Sequence, residues 1–413
     1  MDPLPIIALG LAAGRGERVR PLTLKGTNYL RSKAVIRFMG RRIIHWQLNW
    51  LGEQGVHNAL IVAKGMENRY QVKSNVGYQY RGISVYYSPP SLDHLDTGSG
   101  DATLRNVAYF GLDQPVLVFP VDSLFDLDLR GLYDLYQSTG ADAVVVTAQT
   151  TADHILGRYG VVLSDDSQRI TAFKEKPGVD ELMSLAATAS WEETKPVPFW
   201  MNAGVYLMRP EVVQDLNNSD ALQLMRRDRL DFGKDLLPWM VKEHFKVYAY
   251  PAHDVGDLGN IPDFLATMQR VLQGQMALDW PEHPIGLPFS NRAQPRVHPT
   301  AVVENSYLGI NVQVGPHAKI RNATLADDVI VEPYAEVFQS HVDEGCYIES
   351  YARVHQSLLG VMVKVLSSAD RPTSITEYSG LGDEVTIEPG TRLEGAIIHP
   401  RTHVYGDKVV EFG

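Results

Sequence analysis

From Val303 to Leu393 aliphatic residues return about every six positions, a period that is neither the 3.6 of an α-helix nor the 2 of a strand. Val303, Leu308, Val314, Ile320, Leu325, Val331, Val337, Val342, Ile348 and Val354 carry it. Small or aliphatic residues follow many of them four positions later, as at Val312, Ala318, Val329, Ala335, Cys346 and Ala352. The period resumes at Leu381, Ile387 and Leu393, with Val385 and Thr391 at the offset positions. A unit so short cannot bury its own apolar side, so successive units must stack into a continuous core.

The pattern resembles the hexapeptide repeat of left-handed parallel β-helices, whose coils carry three short strands around an aliphatic prism. The interruption from Leu358 to Ser379 is expected to loop out between coils, and Cys346, at an inward position, is expected to be core. Ahead of the repeat, proline and polar residues cluster from Pro281 to Pro295, a linker composition. Up to about residue 280 short aliphatic runs, as in Leu60 to Lys64, Val116 to Pro120 and Ala143 to Ala148, alternate with longer helix-like stretches. That alternation predicts an α/β domain with a mostly parallel sheet, whose ligands bind at the carboxyl ends of its strands. The expected division is an α/β domain over 1–280, a linker over 281–295 and a β-helix over 296–413.

The first apolar run, Ile6 to Leu11, ends in Ala12-Ala13-Gly14-Arg15-Gly16-Glu17-Arg18 and so reads as a buried strand opening into a glycine-rich loop. From Arg15 to Arg42 nine basic residues (Arg15, Arg18, Arg20, Lys25, Arg31, Lys33, Arg37, Arg41 and Arg42) stand against one acid, Glu17. Glycines let backbone N–H groups approach phosphate oxygens, and arginines add bidentate donors, so the segment is expected to meet a nucleoside triphosphate. The chain as a whole has a net charge of −11, which argues against a nucleic-acid partner or an anionic membrane surface. No apolar run approaches the eighteen or so residues of a membrane span. The single cysteine excludes an intrachain disulfide, no Cys/His spacing matches a zinc site, and a cytoplasmic location is expected.

A series of stretches resembles the nucleotide-sugar pyrophosphorylases, most closely the ADP-glucose pyrophosphorylase branch, over nearly the whole chain. Gly14-Arg15-Gly16-Glu17-Arg18-Val19-Arg20-Pro21-Leu22-Thr23 resembles the signature loop of that family. The likeness implies that Ala12, Ala13, Gly14, Arg15, Gly16 and Arg18 hold the triphosphate, with Arg18 on the β/γ-phosphates. Ser32-Lys33-Ala34-Val35-Ile36-Arg37-Phe38 is similar to the segment bearing the essential lysine, which implies Lys33 at the α-phosphate. A lysine suits that place because its point charge can follow an oxygen as negative charge builds. The proline usual beside this lysine is absent and the stretch from Thr23 to Lys33 is about five residues longer than in that branch, so Lys25 is the competing residue.

Gly98-Ser99-Gly100-Asp101-Ala102 resembles the loop and helix start that close over base and ribose, implying Gly98 and Asp101. Upstream, where the branch has an aromatic residue, stand Leu95 and Asp96; a carboxylate at Asp93 or Asp96 could accept two donors from guanine, so ATP and GTP both remain open. Phe119-Pro120-Val121-Asp122-Ser123 and Asp257-Leu258-Gly259-Asn260 match the two aspartate motifs, implying Mg²⁺ on Asp122 and Asp257, with Asp254 a nearby alternative. For the acceptor, Arg158-Tyr159-Gly160, Phe173-Lys174-Glu175-Lys176-Pro177 and Met201-Asn202-Ala203-Gly204 imply Gly160, Glu175, Lys176, Asn202 and Gly204, while Asp231-Phe232-Gly233-Lys234-Asp235 marks the lineage. His355 lies among the coils, where related acyltransferases use a histidine base, but one residue is not a site.

The resemblance implies a Rossmann-like nucleotidyltransferase domain, a homo-oligomer (dimer or tetramer), and the reaction of NTP with a sugar 1-phosphate to give NDP-sugar and pyrophosphate. The catalytic residues so implied are Arg18, Lys33 and Asp122. A glucose 1-phosphate-like acceptor, a mannose, heptose or cyclitol phosphate, and a non-catalytic subunit that binds nucleotide sugar are all compatible with these residues.

Overall fold

The computed structural model describes residues 2–12, 14, 16–24, 30–93, 97–188, 199–217, 219–220, 229–278, 294–406 and 408–411. Ala13, Arg15, Lys25, Leu95, Asp96 and positions 281–293 of the expected linker lie outside them, as does the side chain of Asp93. Two compact units emerge, one of residues 1–13, 47–121 and 125–255, the other of 14–46, 122–124 and 256–413.

In the first unit the aliphatic runs form the middle of a mixed sheet. Ile7–Leu11 pairs in parallel with Asn58–Val62 on one side and Val116–Pro120 on the other, and Asn58–Val62 continues in parallel to Ile83–Tyr87. The three middle strands carry few polar residues because they are buried on both faces, as in parallel sheets generally. The sheet then changes sense: Phe199–Met208 runs antiparallel to Val116–Pro120 and to Ala143–Thr150. Antiparallel Val161–Ser164 and Ile170–Lys174 extend that edge. The helix Ser99–Phe110 buries Thr103, Leu104 and Val107 against this core and ends at Gly111, whose φ of +57° few other residues adopt.

The second unit is built on the repeat. Short strands line up in three parallel ladders, the arrangement of a left-handed β-helix of hexapeptide repeats. Val314 pairs with Val331, Val331 with Ile348 and Ile348 with Val365, so one coil takes seventeen residues. The inward positions thus follow intervals of six, six and five. Residues with positive φ recur at the corners on the same intervals: Asn305, Asn311, His317, Asn322, Asp328, Tyr334 and Gln339. Asparagine and aspartate tolerate that left-handed conformation better than most side chains. Every inward aliphatic from Val312 to Val365 is fully buried, each worth about 1.5–3 kcal/mol in apolar transfer. Cys346 is among them, and burial pushes its thiol well up.

The interruption is shorter than expected. Leu358–Leu359 and Lys364–Val365 are regular strands of their ladders, with Leu359 and Val365 buried in the prism. The extra length falls between Val365 and Ile375, which sets Val354 opposite Ile375 twenty-one residues on. One further residue is added between Ile375 and Leu381, which sets Leu359 opposite Leu381 twenty-two residues on, so the expected loop from Leu358 to Ser379 is corrected chiefly to the interval from Val365 to Ile375.

Segments from outside the repeat pack on these coils. Helix Ile261–Leu272 starts with Asn260 accepting from the Asp263 N–H at 2.9 Å and with proline in its first turn. Its apolar stripe, Ile261, Phe264, Leu265, Met268, Val271 and Leu272, is buried with Val19, Leu22, Ile36, Phe38 and Met39 of the basic segment and with Tyr307 and Leu358 of the coils. Phe38 meets Phe264 edge to face at 5.3 Å, and Gln269 donates to the Asn322 carbonyl at 2.7 Å.

Among the described residues no helix is long and apolar enough to cross a membrane.

Candidate active site

Two groups of the expected residues assemble, one in each unit. In the second unit the glycine loop leaves strand Ile7–Leu11 and Asp122 leaves the neighbouring strand Val116–Pro120. A Cβ on Gly14 would stand 4.0 Å from the Asp122 Oδ2 atom, so the loop backbone runs close beside that carboxylate. Gly16 has φ +66°, and a Cβ there would strike Thr23 and reach within 2.9 Å of the Lys33 side chain. The Thr23 hydroxyl donates to the Gly16 carbonyl at 2.8 Å and holds the turn. Lys33 opens the short helical turn Lys33–Val35 and is 9% exposed, yet its Nζ donates to Asp122 Oδ2 at 2.9 Å. An ammonium so far out of water needs such a partner.

The other two expected members come from separate elements, Arg18 from the short helical turn Glu17–Val19 and Asp257 from the end of strand Asp254–Asp257. The Gly259 N–H donates to Asp257 Oδ1 at 2.7 Å, and a Cβ on Gly259 would be 3.3 Å from Arg18 Nη2. Strands Ser123–Asp126 and Asp254–Asp257 form a two-stranded sheet. The His253 N–H donates to the Asp126 carbonyl at 2.9 Å, while a Cβ on Gly256 would lie 3.4 Å from the Leu124 Cβ. The strands therefore run in opposite senses, which brings Asp122 at the start of one beside Asp257 at the end of the other. Asp254 instead accepts from the N–H of Val255 at 2.7 Å. Among the described residues no three or more His, Cys, Asp or Glu side chains gather as a metal cage. Two carboxylates suffice for Mg²⁺, which takes one or two from protein and completes its shell with phosphates and water.

In the first unit the acceptor residues converge. A Cβ on Gly160 would come within 2.7 Å of Glu175 Oε2, and one on Gly233 within 2.6 Å of the same atom and 3.5 Å of Asn202 Nδ2. Both glycines therefore admit the Glu175 carboxyl where any side chain would exclude it. The Asn202 N–H donates to the Gly160 carbonyl at 2.8 Å, its Nδ2 to the Tyr206 hydroxyl at 2.9 Å, and its Oδ1 accepts from Gly204 at 3.0 Å. Tyr206 stacks on Phe232 at 4.5 Å, and burial lifts its phenol pKa so that it remains neutral. Burial also raises the Glu175 pKa; Lys176 opposes this and Asp231 adds to it. Lys176, exposed beside it, has φ +46°.

The loop expected at base and ribose is tied to this group through residues read only as marks of lineage. Gly100 and Asp101 donate their N–H groups to the Leu230 carbonyl at 2.9 and 3.2 Å. Ser99 donates from its N–H and its hydroxyl to Asp231 Oδ1 at 3.0 and 3.3 Å, and Phe232 donates back to the Ser99 hydroxyl at 3.1 Å. A Cβ on Gly98, where φ is +90°, would collide with the Leu230 carbonyl. Asp101 faces inward at 1% exposure, paired with Arg105 at 2.5 Å.

The basic segment divides its charges. Arg31 pairs with Asp383 and Arg37 with Glu344, both on the coils, and Arg41 lies 4.9 Å over the Trp46 ring. The expectation that the whole segment meets phosphate is thus corrected for Arg31 and Arg37, because the coils present carboxylates to both. His355 sits 3.8 Å from Glu336 on a coil face, edge-on to Phe338.

A family model described as Nucleotidyl transferase matches residues 6–274, and one described as GMPPB C-terminal domain matches residues 290–411. The chain is 26% identical over 277 residues to the UTP–glucose-1-phosphate uridylyltransferase of Synechocystis sp., covering 65% of this chain and 64% of that one. It is 27% identical over 275 residues to the glucose-1-phosphate adenylyltransferase of Thermus thermophilus, covering 61% and 60%. It is 28% identical over 302 residues to that of Shewanella sp. strain MR-4, covering 66% and 67%. The chain spans less than two thirds of the length of the first two relatives. With a match over more than half its length, the chain belongs to the nucleotidyl transferase family, that of the nucleotide-sugar pyrophosphorylases its motifs resemble.

Proposed function

We propose that the chain transfers a nucleotidyl group from a purine NTP, ATP or GTP, to a glucose 1-phosphate-like acceptor. The observation that carries this is the 2.9 Å contact of Lys33 Nζ with Asp122 Oδ2 beside Gly14 and Gly16, a cation and an anion placed together where the backbone can be approached closely. A phosphate oxygen of the acceptor attacks the α-phosphorus, the α–β bridging bond breaks, and pyrophosphate leaves with that electron pair. Both reactants are anions, so the protein has chiefly to position them and to spread charge. Lys33 follows the α-phosphate oxygens, while Ala12, Ala13, Gly14, Arg15, Gly16 and Arg18 hold the β- and γ-phosphates. A divalent cation, Mg²⁺ by the hard-oxygen donor set, would sit on Asp122 and Asp257 and neutralise phosphate charge. Gly98 and Asp101 shape the nucleoside side. All three named relatives carry glucose 1-phosphate in their names, which supports that class of acceptor on Glu175, Lys176, Asn202, Gly160 and Gly204.

This reading keeps 1–280 as the catalytic domain, 281–295 as linker and 296–413 as the β-helix, in a cytoplasmic homo-oligomer. Pyrophosphate release with Mg²⁺ tests it, crossing ATP, GTP, CTP, UTP and dTTP with glucose, mannose, heptose and cyclitol phosphates. Release should depend on one pair. Nucleotide-sugar binding without release from any pair would instead make the chain a regulatory subunit.

Glu175 supplies a pH signature. Its raised pKa means the carboxylate is lost at a higher pH on acidification than a surface glutamate would lose it. If the ionised form accepts sugar hydroxyls, acceptor KM should climb as the pH falls into that range. Glu175→Gln should raise KM about tenfold, the cost of one charged hydrogen bond, and flatten the profile. An unchanged profile in Glu175→Gln would remove Glu175 from the acceptor site.

A further inference from the structure

We propose that Asp383 of the β-helix is a positioning residue for the reaction centre and acts through Arg31. The inference rests on the reading of Lys33 as the group at the α-phosphate. Asp383 and Arg31 lie 352 residues apart in sequence, and their side chains are 11% and 10% exposed. Asp383 is fixed in its coil, where Oδ1 accepts from the Val361 N–H at 3.0 Å. The Arg31 guanidinium spans three acceptors: Nη2 donates to Asp383 Oδ2, and Nη1 donates both to Asp383 Oδ1 and to the Leu22 carbonyl, each at 3.3 Å. The Arg31 N–H donates in turn to the Thr23 carbonyl at 2.7 Å, and the Thr23 hydroxyl reaches the Gly16 carbonyl.

One planar fork therefore joins a rigid coil to the far limb of the glycine loop, from a position two residues before Lys33. Only a guanidinium offers such a set of fixed directions; an ammonium is a point charge without them. On the other side of Lys33, Arg37 also pairs with coil carboxylates, its Nη1 meeting Glu344 and lying 3.8 Å from Asp343 Oδ1. Lys33 is thus bracketed by two arginines held on coil turns that lie two apart in the stack. Burial raises the Asp383 pKa while Arg31 opposes the rise, as fits a carboxylate kept ionised by its partner. Phosphoryl transfer by positioning is sensitive to such supports, since a displacement of about 1 Å costs up to about a hundredfold in rate.

The test compares wild type with Asp383→Asn, which keeps an acceptor for Val361 and removes the charge. Two readouts are taken: steady-state pyrophosphate release, and amide hydrogen exchange by peptide. Asp383→Asn should lower kcat about tenfold to a hundredfold with acceptor KM little changed, and speed exchange in 16–24 and 33–38 while 320–354 stays protected. Arg31→Lys, which keeps the charge but loses the fork, should show the same pattern, weaker, and serves if Asp383→Asn does not fold. Wild-type kcat in both variants, or a fall in kcat without faster exchange in 16–38, overturns the proposal. Faster exchange in the variants of a chain that releases no pyrophosphate with any pair would uphold the positioning and sink the catalytic reading instead.

Discussion

Lys33→Ala should cut kcat about a thousandfold while the protein folds as before. The magnitude follows from losing one preorganised cation at developing charge, which costs about a hundredfold to a thousandfold where a single donor is removed. Folding survives because the partner left behind, Asp122, is 29% exposed and can be hydrated. Binding of nucleotide should weaken less than turnover, since Arg18 and the loop backbone are untouched. Single-turnover pyrophosphate release, with a thermal melt of the same sample, checks both halves. Turnover at the wild-type rate would transfer the role to Lys25.

Asp122→Asn is the second large effect, and it has two parts that can be separated. As a ligand, the amide replaces a hard anionic oxygen with a neutral one, so the Mg²⁺ concentration for half-maximal rate should rise and the rate at limiting metal fall by about a hundredfold or more. As a counter-ion, Asp122 leaves Lys33 unpaired at 10% side-chain exposure, a loss of about 1 kcal/mol for a pair that solvent partly reaches. Asp257→Asn should reproduce the first part, because its carboxylate is the other hard oxygen donor expected on the cation. Mg²⁺ titrations of both variants decide it. An unchanged metal requirement in either would take that aspartate out of the metal site.

How far the sequence could be read depended on whether a signal was local. The coil core was legible because each inward side chain is dictated by a short interval, and Val314, Ile320, Leu325, Val331 and Ile348 are all buried as expected. The overlong interruption arose from the same rule: the five-residue step from Val354 to Leu359 hid two regular positions, Leu359 and Val365, ahead of the real insertion. The glycine loop was legible because Gly14 and Gly16 announce close backbone approach. The fate of its arginines was not, since nothing near Arg31 in sequence announces a carboxylate at Asp383. Gly160, Glu175 and Asn202 were singled out one motif at a time. The residue that lets two of them meet, Gly233, and the Ser99–Asp231 bond behind it belong to contacts between distant stretches, which no spacing encodes.

The shared core beneath Phe38 and Phe264 bears on how this chain can be cut. A break at residue 280 looks natural from composition, since proline and polar residues follow and the family models meet on either side of it. Such a fragment would nevertheless keep helix Ile261–Leu272 and lose the coils carrying Tyr307 and Leu358, laying bare Phe264, Met268 and Phe38 as one oily face. It would also retain Arg31 and Arg37 without Asp383 and Glu344. The repeat therefore serves the basic segment and helix Ile261–Leu272 as their missing wall, and excising it as an accessory module would yield a sticky, incompletely folded piece.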